Sequence, residues 1–329
     1  MGVAALARAP VLIMISVMIL SRFKSITLGL TLSVGLFTFT GEATAAQSAD
    51  GHGVYLRYEA NWGGIHVADF TLSLLTDRRA NGENTYENRF HLETRGLTRY
   101  FTNMGVEAKS EGRILSPPAP MNNASSFENG ATAPQAETYL SSHYRTEYTN
   151  KKHFRWVDIT FNEAPEPAKA VTGTAPIPGR EANWNPKEKG PELLERVAPE
   201  QRIGVNDPIT LVPQIIAVVR AHMSGGPKSG VVKGFDGRRR FDMHITYLGP
   251  ASRTVGRTRH ETYRVRVAPH PVAGFKKRHK VLWNGAAYDF YLSRDGKFLP
   301  LQIVPVKHGP ILTLVKECPT ECELKAEEE

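Results

Sequence analysis

The sequence predicts a mainly β protein: an antiparallel sheet, curved or partly closed, with one packed helix. Three observations predict it. Apolar and polar residues alternate through many short runs, the period of strands with one buried face. Asp-Gly and Gly-Gly pairs separate several of those runs, as tight hairpin turns require. One segment alone carries a convincing helical stripe.

The elements follow in chain order. Val54 to Ala60 alternates apolar bodies with charges and reads as the first strand. Trp62-Gly63-Gly64 connects it to a second, in which His66, Ala68, Phe70, Leu72 and Leu74 share one face and Asp69, Thr71 and Ser73 the other. Tyr86 to Thr94 and Val106 to Ile114 are further strands, with a short helical turn over Gly96 to Phe101 between them. Residues 115–134 are rich in Pro, Asn, Ser and Ala and read as a long surface loop. Glu137 to Tyr148 and Phe154 to Phe161 alternate again. Residues 164–190 carry many prolines and little periodicity, which predicts a second loop excursion or flap.

The helix is expected from Leu211 to His222, capped by Thr210, with Pro213 in the first turn where its missing N–H costs little. Val212, Ile215, Ile216 and Val219 form its apolar stripe and should pack on the sheet.

"GFDGRRRFDMHITYLG", Gly234 to Gly249, predicts a hairpin. Asp236-Gly237 supplies the turn, because glycine tolerates positive φ. Phe241, Met243, Ile245 and Tyr247 share one face; Arg240, Asp242, His244 and Thr246 share the other. Strand parity puts Arg239 with the apolar set, and the three arginines are expected at a solvated tip. Thr258 to Val267, Ala286 to Arg294, Phe298 to Val306 and Ile311 to Val315 complete the series, with Asp295-Gly296 as another turn.

The N-terminal residues carry a different signal. Arg22 and Lys24 precede an apolar run, Ser25 to Thr40, and Ala43-Thr44-Ala45 follows. That is the layout of a cleaved secretory leader, so residues 1–45 are expected to be removed and 46–329 to form a single β-rich domain. The alternative is an uncleaved anchor, but the run falls short of the ~20 apolar residues that span a bilayer. A second apolar run, Val11 to Leu20, lies upstream of the basic residues, which suggests a true start at Met14 or Met18. The sequence thus predicts a periplasmic protein with no stable transmembrane span after cleavage.

Charge is read in that light. The formal net charge is +8, and losing Arg8, Arg22, Lys24 and Glu42 with the leader lowers it by two. An exported basic protein meets little nucleic acid. Its anionic neighbours are lipid head groups and envelope polymers, although diffuse charge also simply favours solubility. Only Cys318 and Cys322 are present. An oxidising compartment favours a local disulfide between them; their spacing is not that of a redox pair.

Familiar chemistry is sought and not found. The chain has no Gly-x-Ser-x-Gly elbow and no His-Glu-x-x-His. "RHETYRV" begins like a zinc helix, but Arg264 stands where the second histidine belongs. No catalytic residue, metal ligand set or cofactor is therefore expected. Arg238 and Arg240 are the candidate ligand-binding residues, because guanidinium forks suit an anionic head group. A solvated tip with no ligand is the competing reading.

Four segments in order, "YLRYEANWGGIHVADFTLSL", "NDPITLV", "FDGRRRFDM" and "PHPVAGF", resemble the proteobacterial exported family catalogued as domain of unknown function 3108. The resemblance spans Val54 to Val315. It implies a periplasmic protein whose curved sheet is similar to the half-barrels of lipoprotein carriers, and it brings no established activity. That family carries cysteines before the FDGRRR hairpin and before the VAGF segment; residues 222–232 and 262–269 here have none. Within these segments Gly237 is expected to permit the turn. Asp207 before Pro208 is expected to form an Asx-type turn, and Gly274 a bend or bulge.

Three functions compete. The first is non-enzymatic binding of an apolar or amphipathic envelope ligand in the concavity of the sheet. The second is an interaction module for cell-wall or lipopolysaccharide polymers, using Arg238, Arg240, Lys276, Lys277 and Arg278. The third is an envelope hydrolase with an unrecognised carboxylate pair.

Overall fold

The computed structural model describes residues 52–79, 81–101, 103–115, 137–150, 154–175 and 192–319. The expected leader, the loop at 116–134 and Cys322 lie outside them.

The alternating runs form fourteen strands in one antiparallel sheet. A first meander comprises β1 (His52–Trp62), β2 (Ile65–Arg78), β3 (Asn84–Thr94), β4 (Gly105–Leu115), β5 (Thr138–Thr149), β6 (Phe154–Thr160), β7 (Lys169–Ala175) and the two-residue β8 (Glu192–Leu193). A second comprises β9 (Ser229–Phe235), β10 (Arg240–Val255), β11 (Thr258–Ala273), β12 (Tyr288–Ser293), β13 (Pro300–Pro305) and β14 (Ile311–Pro319). β14 pairs with β1 and joins the two, so β8 and β9 are the edges. Among the described residues three α-helices accompany the sheet, α1 (Gly96–Phe101), α2 (Leu211–Met223) and α3 (Lys277–Trp283), with a 3-10 turn over Pro199–Arg202. No helix among the described residues is long and apolar enough to cross a membrane.

The strand expectations change at two places. The segment read as a loop over 164–190 contains β7, which pairs residue by residue with β6 from Phe154↔Ala175 to Thr160↔Lys169. Its Ala, Thr and Gly side chains give little hydrophobic contrast, so the strand comes from its neighbour rather than from its own pattern. The second change is at His66. A bulge lets Ala60 pair with Ala68 but Asn61 with His66. One extra residue flips the parity, so His66 leaves the apolar set and its Nε2 lies 2.6 Å from Asp69 Oδ1.

The sheet curls until its ends meet. One core contains Ile159 and Ala170 of β6 and β7 together with Phe235 and Phe241 of β9 and β10. The edges do not pair with each other. The connector between them fills the seam: Leu194 N–H donates to Ala170 O at 2.8 Å, and Ala168 N–H to Arg202 O at 3.0 Å. At the other edge Asn206 N–H donates to Lys233 O at 2.8 Å, and Asn206 O accepts from Phe235 N–H at 2.8 Å. Backbone polar groups at the seam are thereby satisfied, as burial demands.

α2 packs into the concave side. Leu211, Ile215, Ile216 and Val219 are buried, while Val212 is partly so. Burying each such side chain fully contributes about 1.5–3 kcal/mol. Thr210 sits at the cap position but makes no capping bond with its side chain. Asp207 takes that role: its Oδ1 accepts the N–H groups of Ile209 at 2.8 Å and Thr210 at 3.0 Å. Asp207 has no exposure, and its Oδ2 accepts from the hydroxyls of Ser110, Ser141 and Thr210, each at 2.6 Å. This knot ties the entrance of α2 to β4 and β5.

Candidate functional site

The concave side encloses a cavity of about 160 Å³. Inward-facing residues of both meanders wall it: Tyr58, Phe70 and Phe90 from one, Tyr288 and Phe290 from the other. Leu211 and Val212 of α2 close one side, and Trp283 of α3 another. The polar side chains in this wall include Arg155, Asp236, Arg238 and several tyrosines. Tyr58 donates to Pro300 O at 2.8 Å. Burial pushes the phenols of Tyr58 and Tyr144 far above their ordinary value, so both line the cavity as neutral groups. Burial also raises Tyr148, against the opposing charge of Arg155.

The β9–β10 hairpin brings Arg238 to this cavity, and the expected solvated tip is corrected. Arg239 and Arg240 are each only 5% exposed. The cause is the curl of the sheet, which lays the tip against β6 and β7. A Cβ on Gly237, whose φ is +83°, would come within 2.7 Å of Val157 Cγ1. Asp236 Oδ1 accepts the N–H groups of Arg238 at 2.8 Å and Arg239 at 2.7 Å, shaping the turn. Asp236 Oδ2 accepts from Arg239 Nε at 2.8 Å. The Arg239 guanidinium lies 5.7 Å from the ring of Phe275 and 5.8 Å from that of Trp283.

The three arginines therefore part company. Arg238 lines the cavity, and its Nη2 donates to Thr172 Oγ1 of β7 at 3.0 Å. Burial, first, and then the neighbouring arginines 196, 155 and 239 hold its guanidinium below the ordinary value, with Asp236 opposing them. Arg240 points elsewhere: its Nη2 is 2.7 Å from Asp242 Oδ1, and its Nη1 donates to Phe241 O. The two candidate ligand residues are not brought together.

The other singled-out residues support the wall. Pro208 lines the cavity beside Ile209. Gly274 follows β11 with φ +76°, and a Cβ there would sit 2.1 Å from Arg238 O. Only glycine fits that close approach. Cys318 is buried in β14, opposite Tyr55 of β1; its proposed bridge to Cys322 falls outside the described residues. Lys276 and Lys277 are exposed. Among the described residues no group of three or more His, Cys, Asp and Glu is placed to hold a metal ion. Asp236 is the one carboxylate in the cavity wall among those residues.

Trp283 and Arg155 were not anticipated as wall residues. A signal existed for Trp283. Phe275, His279 and Trp283 recur at intervals of four within a basic stretch, the period of a helix with one buried face. No comparable signal marks Arg155, which sits in an ordinary alternating strand.

No protein-family profile matches this chain, and no curated protein matches it. The resemblance to domain of unknown function 3108 therefore rests on its four segments alone. Among solved structures, the chain is similar to one described as a beta-barrel-like protein of domain of unknown function DUF1849, from Brucella abortus. Identity is 12%, the match covers 83% of this chain and 99% of that one, and the TM-score is 0.38. The fold assignment stands on the strand pairing described above.

Proposed function

We propose that this chain is a non-enzymatic binding protein of the cell envelope whose cavity takes an apolar or amphipathic small molecule. The observation that carries this reading is a largely aromatic and aliphatic cavity built jointly by both meanders and α2, with a few polar groups along its wall. Ligand sites have that composition. The leader-like N-terminal segment supports an envelope location.

The competing readings have less support. Two of the five residues suggested for polymer binding, Arg238 and Arg240, are drawn away from the outer surface. A two-carboxylate hydrolase needs a second acid facing the first; in the cavity wall Asp236 is alone among the described residues, and both its oxygens are engaged by the hairpin.

Native mass spectrometry of protein purified from its host's envelope tests the proposal, together with titration by octanol followed through tryptophan fluorescence. Co-purified small amphiphiles or saturable octanol binding is the expected result. Ligand-free protein that takes up no octanol overturns it.

A further inference from the structure

Arg238 and Trp283, both residues of the cavity wall, each carry a buried hydrogen-bond donor, Nε and Nε1, that meets no acceptor among the described residues. Trp283 is 2% exposed. Neither side chain has any lone pair to offer, so each is satisfied only by an acceptor. Resting on the binding role proposed above, we propose that the ligand carries an anionic head group, a carboxylate or a phosphate monoester, held by Arg238 and Trp283.

Charge points the same way. Arg238 feels the charges of arginines 155, 196 and 239, with Asp236 as the opposing acid. That acid is already committed to Arg239, at 2.8 Å, and to the backbone of the turn. The Arg238 guanidinium itself is bonded to a neutral hydroxyl on Thr172. An incoming anion would relieve this concentration of positive charge and restore the guanidinium's proton affinity, whereas a cation would worsen it. An anion accepts charge-assisted bonds from both a guanidinium and an indole N–H.

Size restricts the rest of the ligand. A cavity of about 160 Å³ is close to one that takes a single benzene ring. The tail is therefore one ring or one short acyl chain, and a lipid with several chains is excluded from complete burial.

The test uses the full mature chain and four probes of one tail length: octanoate, octyl phosphate, octanol and octyltrimethylammonium. Calorimetry gives affinity, and tryptophan fluorescence reports occupancy beside Trp283. Octanoate and octyl phosphate should bind at least ten-fold tighter than octanol, and the cation weakest. Arg238→Gln should abolish that preference while octanol still binds, which also shows that the variant folds. Arg238→Lys should restore part of it, and Trp283→Phe, which keeps a ring and removes the N–H, should weaken the anions alone. Octanol binding as tightly as octanoate overturns the head-group inference and leaves the binding role intact. No binding of any probe overturns the binding role itself. Inorganic phosphate binding as tightly as octyl phosphate overturns the part assigned to the tail.

Discussion

The Ser110 hydroxyl lies 2.6 Å from Oδ2 of Asp207, ninety-seven residues away, with both side chains fully buried. It is one of five hydrogen bonds that converge on this aspartate, from two backbone amides and three hydroxyls. Asp207→Ala leaves the buried amides of Ile209 and Thr210 without their acceptor, and the three hydroxyls keep each other and Asn206 Oδ1. Hydrogen bonds to charged groups contribute ~1.5–3 kcal/mol each, and their losses are not additive. The variant should lose about 3–5 kcal/mol, at the upper end for single substitutions. Asp207→Asn keeps an acceptor for the amides, and the hydroxyls can rotate, so about 1–2 kcal/mol is expected. Urea midpoints at constant slope measure both, and equal midpoints for wild type and alanine would refute the role given to this knot.

Gly274 controls the position of Arg238 through the backbone. Gly274→Ala places a methyl group 2.1 Å from the Arg238 carbonyl oxygen at a positive φ. A loss of about 2 kcal/mol or more is expected from the combined strain and clash. Octanoate should lose affinity more than octanol, because the Arg238 turn must shift. Gly63→Asn is the control: its φ is +58° with nothing within 4 Å, and asparagine tolerates that region, so stability should change by less than about 1 kcal/mol.

Ala108 lines the cavity on β4. Ala108→Leu adds three methyl-sized groups where the proposed ligand tail would lie. Octanol affinity should fall at least ten-fold by calorimetry. The melting temperature should change little, since the added groups enter space rather than packed atoms. Unchanged octanol affinity would place the ligand elsewhere.

Asp289 should govern part of the acid response. Burial acts to raise its carboxyl, but hydrogen bonds and charge from Arg266 and Arg264 outweigh it and hold the group below the ordinary 3.8. The contacts are 2.9 Å from Arg266 Nε and 2.6 Å from Arg264 Nη2. A carboxyl depressed on folding contributes stability that is full above its unfolded value and lost as pH falls through its folded value. The advantage of wild type over Asp289→Asn in melting temperature should be flat above about pH 5 and shrink on acidification below the unfolded value. A constant difference down to pH 2.5 would contradict this.

Most of the strand pattern was legible because alternation is local. In β10, Phe241, Met243 and Ile245 are buried while Asp242 and His244 are less so, as the sequence indicates. The fate of the arginine tip was not legible. A hairpin announces its own turn, but whether that turn meets water depends on residues such as Val157 and Ala170, far away in the chain. Arg238 was singled out from the sequence, but Trp283 becomes a wall residue only once α3 closes over a curled sheet. β7 was hidden for another reason, since its small side chains contribute hydrogen bonds more than hydrophobic contrast.

The seam between β8 and β9 has a consequence for how this architecture can vary. In a fully laddered barrel, circumference is fixed by strand number and shear, so resizing means re-registering every pair. Here a connector completes the circumference, hooked to Ala170 at one margin and to Lys233 and Phe235 at the other. Lengthening or shortening that one connector would widen or narrow the girth while all thirteen ladders keep their partners, so cavity size is an adjustable trait of the scaffold.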